Sequence, residues 1–309
     1  MWACPAVRIG LAAREDSIMQ ARVSVIIPTL NAGRQLERQL EMLNKQTVRP
    51  DEILVVDSRS ADHTTEIART GGACVLDVER SAFDHGGTRD MALRQTTGDI
   101  VIFMTQDALP MDERMIEHLI APLEDPDVAA SVGRQIAYDD AYPYEKAVRA
   151  HNYPDEELVW SREDIAQLGV RAFRISDVCA AYRRTAYLES GGFDHPILTN
   201  EDMLMAEKLL RGGHKLAYTA AASVYHSHNF TLAQEYRRNY IIGRTMKRYE
   251  ARFHYISEMG AGTKLVKAVM IDLLRDKQIV SCFAFALNCA ARLLGNRMGR
   301  WKEAKESRN

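Results

Sequence analysis

Cysteine is sparse in this chain of 309 residues, and what there is forms no pattern. Cys4, Cys74, Cys179, Cys282 and Cys289 are scattered, odd in number and contain no C-x-x-C pair. That argues against a disulfide framework or a zinc knuckle and for a reducing, cytoplasmic compartment. Long hydrophobic runs are missing as well. Arg8 and Arg14 interrupt the N-terminal stretch, so it does not read as a signal peptide. The longest uncharged stretch of the C-terminal part, residues 278–291, holds 14 residues. A spanning helix needs roughly 20 apolar ones, so the expectation is a chain that crosses no membrane. An excess of one charge sign is absent too, with 40 Lys+Arg against 42 Asp+Glu. That balance conceals an asymmetry: residues 229–309 carry 16 Lys/Arg against 7 Asp/Glu, while the rest carries 24 against 35. A basic tail on an acidic body suits an anionic surface or ligand. No nucleic-acid motif accompanies it, so nucleic acid is not an expected partner.

An apolar fraction of 46% provides for a packed core. From Val23 the chain alternates short β-branched runs with amphipathic segments. Strands are expected at 23–27, 53–56, 73–76 and 100–104, separated by helices with Leu36, Leu40 and Leu43 on one face, then around 62–70 and 87–95. Such alternation means βαβ units and a parallel sheet. After Asp107 it loosens. Strands are expected at 128–136, 173–182 and 215–219, with 223–225 strand-like, around a polar, aromatic segment, 138–169, that reads as a binding loop with short helices. A helix is expected at 201–211, and from Thr231 onward every segment reads as helix, interrupted near 260–262. The boundaries are thus an extension at 1–22, an α/β domain at 23–230 and a basic amphipathic helical region at 231–309.

In an open parallel sheet ligands sit at the carboxyl ends of the strands, so polar residues there carry the most weight. Pro28-Thr29-Leu30-Asn31 follows the first strand and is either a helix cap or a ligand turn. Asp57 ends the second and either closes a turn or accepts hydrogen bonds from a pyrimidine or ribose. Asp107 follows the fourth strand and either caps a helix or holds a divalent cation. Asp202, in Asn200-Glu201-Asp202, fits a helix-start cap or a general base. His226 and His228 alternate on an extended segment and so face one way.

Five strings in this order resemble glycosyltransferase family 2: Val-Ile-Ile-Pro-Thr-Leu-Asn (25–31), Ile-Leu-Val-Val-Asp-Ser-Arg-Ser-Ala-Asp (53–62), Gly-Asp-Ile-Val-Ile-Phe-Met-Thr-Gln-Asp-Ala (98–108), Gly-Gly-Phe-Asp (191–194) with Asn-Glu-Asp (200–202), and His226. The likeness spans residues 23–228. It implies the α/β, Rossmann-like GT-A fold for nucleotide-diphospho-sugar transferases, with a mostly parallel sheet flanked by helices. Phe83-Asp84-His85-Gly86-Gly87-Thr88-Arg89-Asp90, with Thr105-Gln106-Asp107-Ala108, resembles the rhamnosyltransferase branch, which implies dTDP-L-rhamnose as donor.

The resemblance implies single displacement with inversion. Asp202 would be the base. Pro28, Thr29, Asn31, Asp57 and Arg59 would hold the nucleoside; His85, Gly86, Gly87, Arg89, Gln106, Asp107 and Glu201 would complete the donor site. Gly86 and Gly87 would let the backbone approach the diphosphate at a helix start, and Arg89 would pair with its oxygens. Asp107 and His226 would bind Mg²⁺ or Mn²⁺. The family's Asp-x-Asp motif is incomplete, since Thr105 replaces its first acid. Tyr142, Tyr144, Tyr153 and Trp160 would offer platforms to a saccharide or lipid-linked acceptor. Arg237, Arg244, Arg248 and Arg252 near one helical face, and Ile279, Phe283, Leu287 and Ala290 in an apolar stripe further on, suit either the inner face of the plasma membrane or helices that pack on the domain or in a dimer. Other family 2 transferases using a UDP-hexose, and a non-catalytic sugar-nucleotide-binding protein, fit the same strings.

Overall fold

The first strand, β1 (Val23–Thr29), is apolar on both faces, and such a strand must lie inside a sheet covered on both sides. A computed structural model of the chain describes residues 21–253 and 259–307, so the expected extension at 1–22 lies almost wholly outside the described residues. β1 pairs in parallel with β2 (Glu52–Asp57) and β4 (Ile100–Met104), and β2 pairs with β3 (Cys74–Asp77), giving the order β3-β2-β1-β4. The crossovers contain α1 (Gly33–Asn44), α2 (Thr64–Thr70) and α3 (His85–Gln95). Alternation of side chains fixes the layers. Ile26 and Phe103 pack on one face with Tyr182, Tyr187 and Phe193, whereas Val25, Ile27 and Ile102 pack on the other against Leu36, Leu40 and Leu43 of α1. Each such fully buried side chain stabilises the fold by roughly 1.5–3 kcal/mol.

Past β4 the sheet becomes mixed. β5 (Leu109–Pro110), β6 (Val128–Ile136), β7 (Leu158–Trp160), β8 (Cys179–Arg183) and β9 (Lys215–Tyr225) extend it in the order β4-β8-β6-β9-β5, with β7 also on β9. β8 runs antiparallel between β4 and β6, while β6 and β9 are parallel. A buried strand's apolar run does not encode its direction, which is why the expected parallel sheet is parallel in only its first half. The strand expected over 173–182 begins only at Cys179, because 169–173 is a 3-10 helix. The segment 138–169 holds the expected short helices, α5 (Pro143–Asn152) and α6 (Ile165–Leu168), and in addition the strand β7; α4 (Met115–Ile120) precedes it.

α7 (Arg184–Glu189) and α8 (Glu201–Arg211) precede β9, and α9 (Leu232–Arg248), α10 (Met259–Arg275) and α11 (Ile279–Glu306) follow it. The interruption expected near 260–262 falls inside α10 instead. Among the described residues the helices break after Arg248, where a 3-10 turn covers Glu250–Arg252, and again at Lys277, in the left-handed region at φ +57°. α11 has 28 residues and, by length and composition, is apolar enough to cross a membrane. The 14-residue uncharged stretch undercounted it. It lies against α9 through Gly243, Gly295 and Gly299, where an added Cβ would come 2.2, 2.3 and 2.0 Å from backbone oxygens of the opposite helix.

Candidate active site

The carboxyl ends of β1, β2 and β4 form one self-satisfied turn. Thr29 Oγ1 donates to Asp57 Oδ1 at 3.1 Å, Ser60 Oγ donates to the same oxygen at 2.6 Å, and Ser60 N donates to Asp57 Oδ2 at 2.8 Å. With both oxygens engaged and 1% exposure, Asp57 shapes the turn; its carboxylate is not presented to solvent. Beside it Pro28 is half-buried. Asn31, at φ +52°, takes a conformation that Asn tolerates better than most residues, and it accepts from Ala61 N at 2.9 Å. Gln106 clamps the same turn, accepting from Leu30 N at 2.8 Å and donating to Leu30 O at 3.3 Å. Arg59, also at positive φ, is exposed and pairs with Glu79 at 2.7 Å.

The two-residue β5 organises the next group. It pairs antiparallel with the end of β9, Leu109 opposite Tyr225, which draws Asp107 beside His226 and His228. Each histidine's Nε2 lies 3.5 Å from Asp107 Oδ2, and the three ligand atoms lie within 4.8 Å of one another. His226 Nδ1 lies 2.9 Å from Gln135 Oε1, an acceptor, and 3.1 Å from Arg149 Nη1, a donor, so both neighbours hold the ring in place with its Nε2 toward Asp107. Burial lowers the pKa of both imidazoles, that of His228 to about 4. Burial would raise Asp107, but the His226 contact outweighs it and holds the carboxyl well below its ordinary range. Near neutral pH the group is therefore one carboxylate and two neutral imidazoles, a donor set that fits a divalent cation. Pairing through a two-residue strand is invisible to periodicity, so sequence reasoning missed His228 as a ligand, although its alternation with His226 pointed to a shared site. A cleft of about 30 Å³ beside Asp107 is lined by Gln35, Arg38, Gln106 and Tyr138.

The start of α8 carries a third group. Asp202 is half-buried, its Oδ1 accepting from Met203 N at 2.7 Å and its Oδ2 from Asp177 N at 3.4 Å. Glu201 and Asp177 are buried on either side of Arg89. Arg89 Nη1 is 3.1 Å from Glu201 Oε1, Arg89 Nε is 3.6 Å from Asp177 Oδ2, and Tyr182 OH donates to Asp177 Oδ1 at 2.8 Å. Three carboxylates around one guanidinium leave a negative excess in a site poor in water. Burial, reinforced by neighbouring carboxylates such as Glu201, raises the pKa of both Asp202 and Asp177 above the ordinary carboxyl range. His85, 3.8 Å from Glu201 Oε1, has its pKa lowered, burial being the main cause.

Several placements differ from what the sequence led one to expect. Arg89 is 4% exposed and faces the carboxylates of Glu201 and Asp177, because α3 turns it inward. Gly86 and Gly87 approach the chain at 194–197 and not an open cleft, since a Cβ on Gly86 would meet Asp194 O at 2.2 Å. The α3 start is already capped, Asp84 Oδ1 accepting from Gly87 N at 2.6 Å and Oδ2 accepting from Ile197 N. Among the expected aromatic platforms, Trp160 is buried and donates to Ala172 O at 2.8 Å, and Tyr144 is buried against Phe285. Tyr153 is half-buried beside Tyr218, and Tyr142 alone of the four is exposed. Arg244 and Arg248 pair with Glu303 at 2.7 Å each, and Arg252 pairs with Glu207 and Asp194, so most of the expected basic face is spent inside the protein.

Three side chains that could hold a metal ion and a carboxylate of raised pKa, both at element ends beside the sheet, are features of an enzyme site. Comparison with known proteins makes this specific: residues 24–191 match the model of glycosyl transferase family 2, and the chain belongs to that family of sugar transferases. An O-antigen chain rhamnosyltransferase, RfbN of Salmonella typhimurium, is 35% identical over 290 residues, covering 90% of each chain. The O-antigen chain rhamnosyltransferase WbaN of Salmonella anatum is 39% identical over 222 residues, 71% of this chain and 70% of that one. Among solved structures, the mannosyltransferase PcManGT from Pyrobaculum calidifontis, in complex with GDP-Man and Mn²⁺, superposes with a TM-score of 0.60 over 92% of this chain and 87% of that one at 19% identity. S. aureus TarS 1-349 with UDP-GlcNAc gives 0.54 over 91% and 92% at 15%. Both likenesses establish the GT-A fold.

Proposed function

We propose that this glycosyltransferase moves L-rhamnose from dTDP-L-rhamnose onto a saccharide or lipid-linked saccharide in cell-surface polysaccharide assembly. The observation that carries this is the 35% identity to a rhamnosyltransferase over nine tenths of both chains. Asp202 accepts the proton of the acceptor hydroxyl as its oxygen attacks the anomeric carbon, and the diphosphate leaves from the opposite side with inversion. A raised pKa suits Asp202 to this, because a stronger base takes the proton more readily. Arg89 and Glu201 position Asp202, while Asp57, Thr29, Asn31, Arg59 and Gln106 shape the nucleoside turn. Asp107, His226 and His228 would hold the cation, Mn²⁺ in preference to Mg²⁺ because two of three donors are imidazoles. When bound, it supplies neutralisation of the diphosphate.

The same proposal places the enzyme at the cytoplasmic face of the plasma membrane. Val280, Phe283 and Leu287 are 83%, 69% and 58% exposed on α11, followed by Leu294, Met298 and Trp301 on the same side, and Arg297, Lys302 and Lys305 flank the far end. The packing of α11 on α9 favours a helix lying in the interface over one crossing it. The test is a donor panel. Turnover should be fastest with dTDP-L-rhamnose, with and without Mn²⁺; preference for a UDP-hexose would refute the rhamnosyl assignment and leave the family untouched.

A further inference from the structure

Arginines flank the Asp107–His226–His228 group on more than one side: Arg38 lines the cleft beside Asp107, and Arg149 is held by Glu145 at 2.8 Å and lies 3.1 Å from His226 Nδ1. Arg238, on α9, is exposed and has no ion pair or hydrogen bond among the described residues. Its guanidinium carbon sits 5.6 Å from the centroid of Phe230. Phe230 is stacked on His228, centroids 4.5 Å apart and planes 19° from parallel, and His228 Nε2 reaches Asp107 at 3.5 Å. A run of contacts, guanidinium to ring to imidazole to carboxylate, thus joins the C-terminal helices to the cation site.

A guanidinium laid on an aromatic ring has lost most of its freedom, and its fork of N–H donors matches phosphate oxygens. The anion it would meet is defined by its neighbours. A diphosphate neutralised by a cation that Asp107, His226 and His228 would hold would lie within reach of this run of contacts, and Thr105 adds no second carboxylate there. We propose that Arg238 binds the diphosphate of the nucleotide donor, so that the C-terminal helices complete the leaving-group site. As the bond between the anomeric carbon and the diphosphate oxygen breaks, its electron pair stays on that oxygen, and Arg238 faces the charge so gained. This inference rests on the glycosyl-transfer reading of the site.

The experiment is calorimetric titration of dTDP, UDP, GDP and their monophosphates into the full chain, in Mn²⁺ and in EDTA. Arg238→Met keeps an unbranched side chain over Phe230 and removes the charge; Arg238→Lys keeps the charge and loses the fork. The Met variant should bind the preferred diphosphate about 10- to 100-fold more weakly in both media, the scale of a lost charged hydrogen bond. Monophosphate affinity should fall by no more than about threefold and Mn²⁺ affinity should stay unchanged, since a β-phosphate contact touches neither. The Lys variant should recover part of the loss, and it carries the test if the Met variant does not fold. An unchanged diphosphate-to-monophosphate preference in a folded Met variant overturns the proposal. Failure of the wild type to bind any nucleoside diphosphate overturns it together with the glycosyl-donor reading. Preference for UDP or GDP, weakened by Arg238→Met, upholds Arg238 and refutes only the choice of dTDP.

Discussion

Two groups of charged side chains stand at the mouth of the sheet, and they are finished differently. Around Arg89 the charges face inward: Glu201, Asp177 and Tyr182 enclose the guanidinium, Arg89 Nε and Asp177 Oδ2 oppose each other at 3.6 Å without a hydrogen bond, and Asp202 is half-buried at the margin. Around Asp107 two imidazoles and a carboxylate bring three possible ligand atoms within 4.8 Å of one another. The closed group sets the proton affinity of one carboxylate. The open group is built for something that arrives. Both are made by tertiary contacts between distant segments, yet one needs only the protein to be complete.

The comparison breaks first if the closed group tolerates loss of its cation. Arg89→Met should cost about 3–5 kcal/mol of stability, because it strands buried carboxylates that cannot all ionise; chemical denaturation of the full chain measures it, and a loss under about 1 kcal/mol would show that the group is not closed. In whatever folded fraction remains, the acidic limb of the kcat profile should move to higher pH. Removing a cation favours the protonated form of Asp202, and a protonated base is idle.

A smaller effect, about a hundredfold in turnover, is expected for Asp202→Asn, with donor affinity within about threefold of the wild type. The wild-type kcat should fall as pH drops through the raised pKa of Asp202, above the range of an ordinary carboxyl. Near-normal turnover in the variant would remove Asp202 from the chemistry. The mildest change sharpens the open group: Gln135→Met removes the acceptor at His226 Nδ1 and should weaken Mn²⁺ binding by about 10-fold, leaving the pH profile of kcat in place. Equal Mn²⁺ affinity in the two proteins would mean that the imidazole needs no such partner.

How much of this the sequence could show follows from distance along the chain. The first four strands and their crossovers were legible because each βαβ unit closes locally, and Leu36, Leu40 and Leu43 advertise the buried face of α1. Asp107 and Asp202 were legible as polar residues at element ends. Asp177 was not, since it lies in an irregular stretch before β8 and owes its place to Arg89 and Tyr182. The inward turn of Arg89 was equally hidden: Gly-Gly before an arginine reads as a phosphate loop until the chain at 194–197 is seen to occupy the space. The tail misled in a similar way. Arginines on one helical face look like a surface for anions, and only α11 supplies Glu303 to take two of them.

The glycines between α9 and α11 have a mechanical consequence. Where backbone meets backbone over Gly243, Gly295 and Gly299, no layer of side chains is left to shear, so the two helices turn as a single strut. One face of that strut is the exposed row from Val280 to Trp301, and the other helix carries Arg238 beside Phe230. Whatever surface α11 rests on therefore fixes the heading of the cleft, much as a keel fixes the heading of a hull. An acceptor held in that surface would meet the anomeric carbon from one side at every encounter.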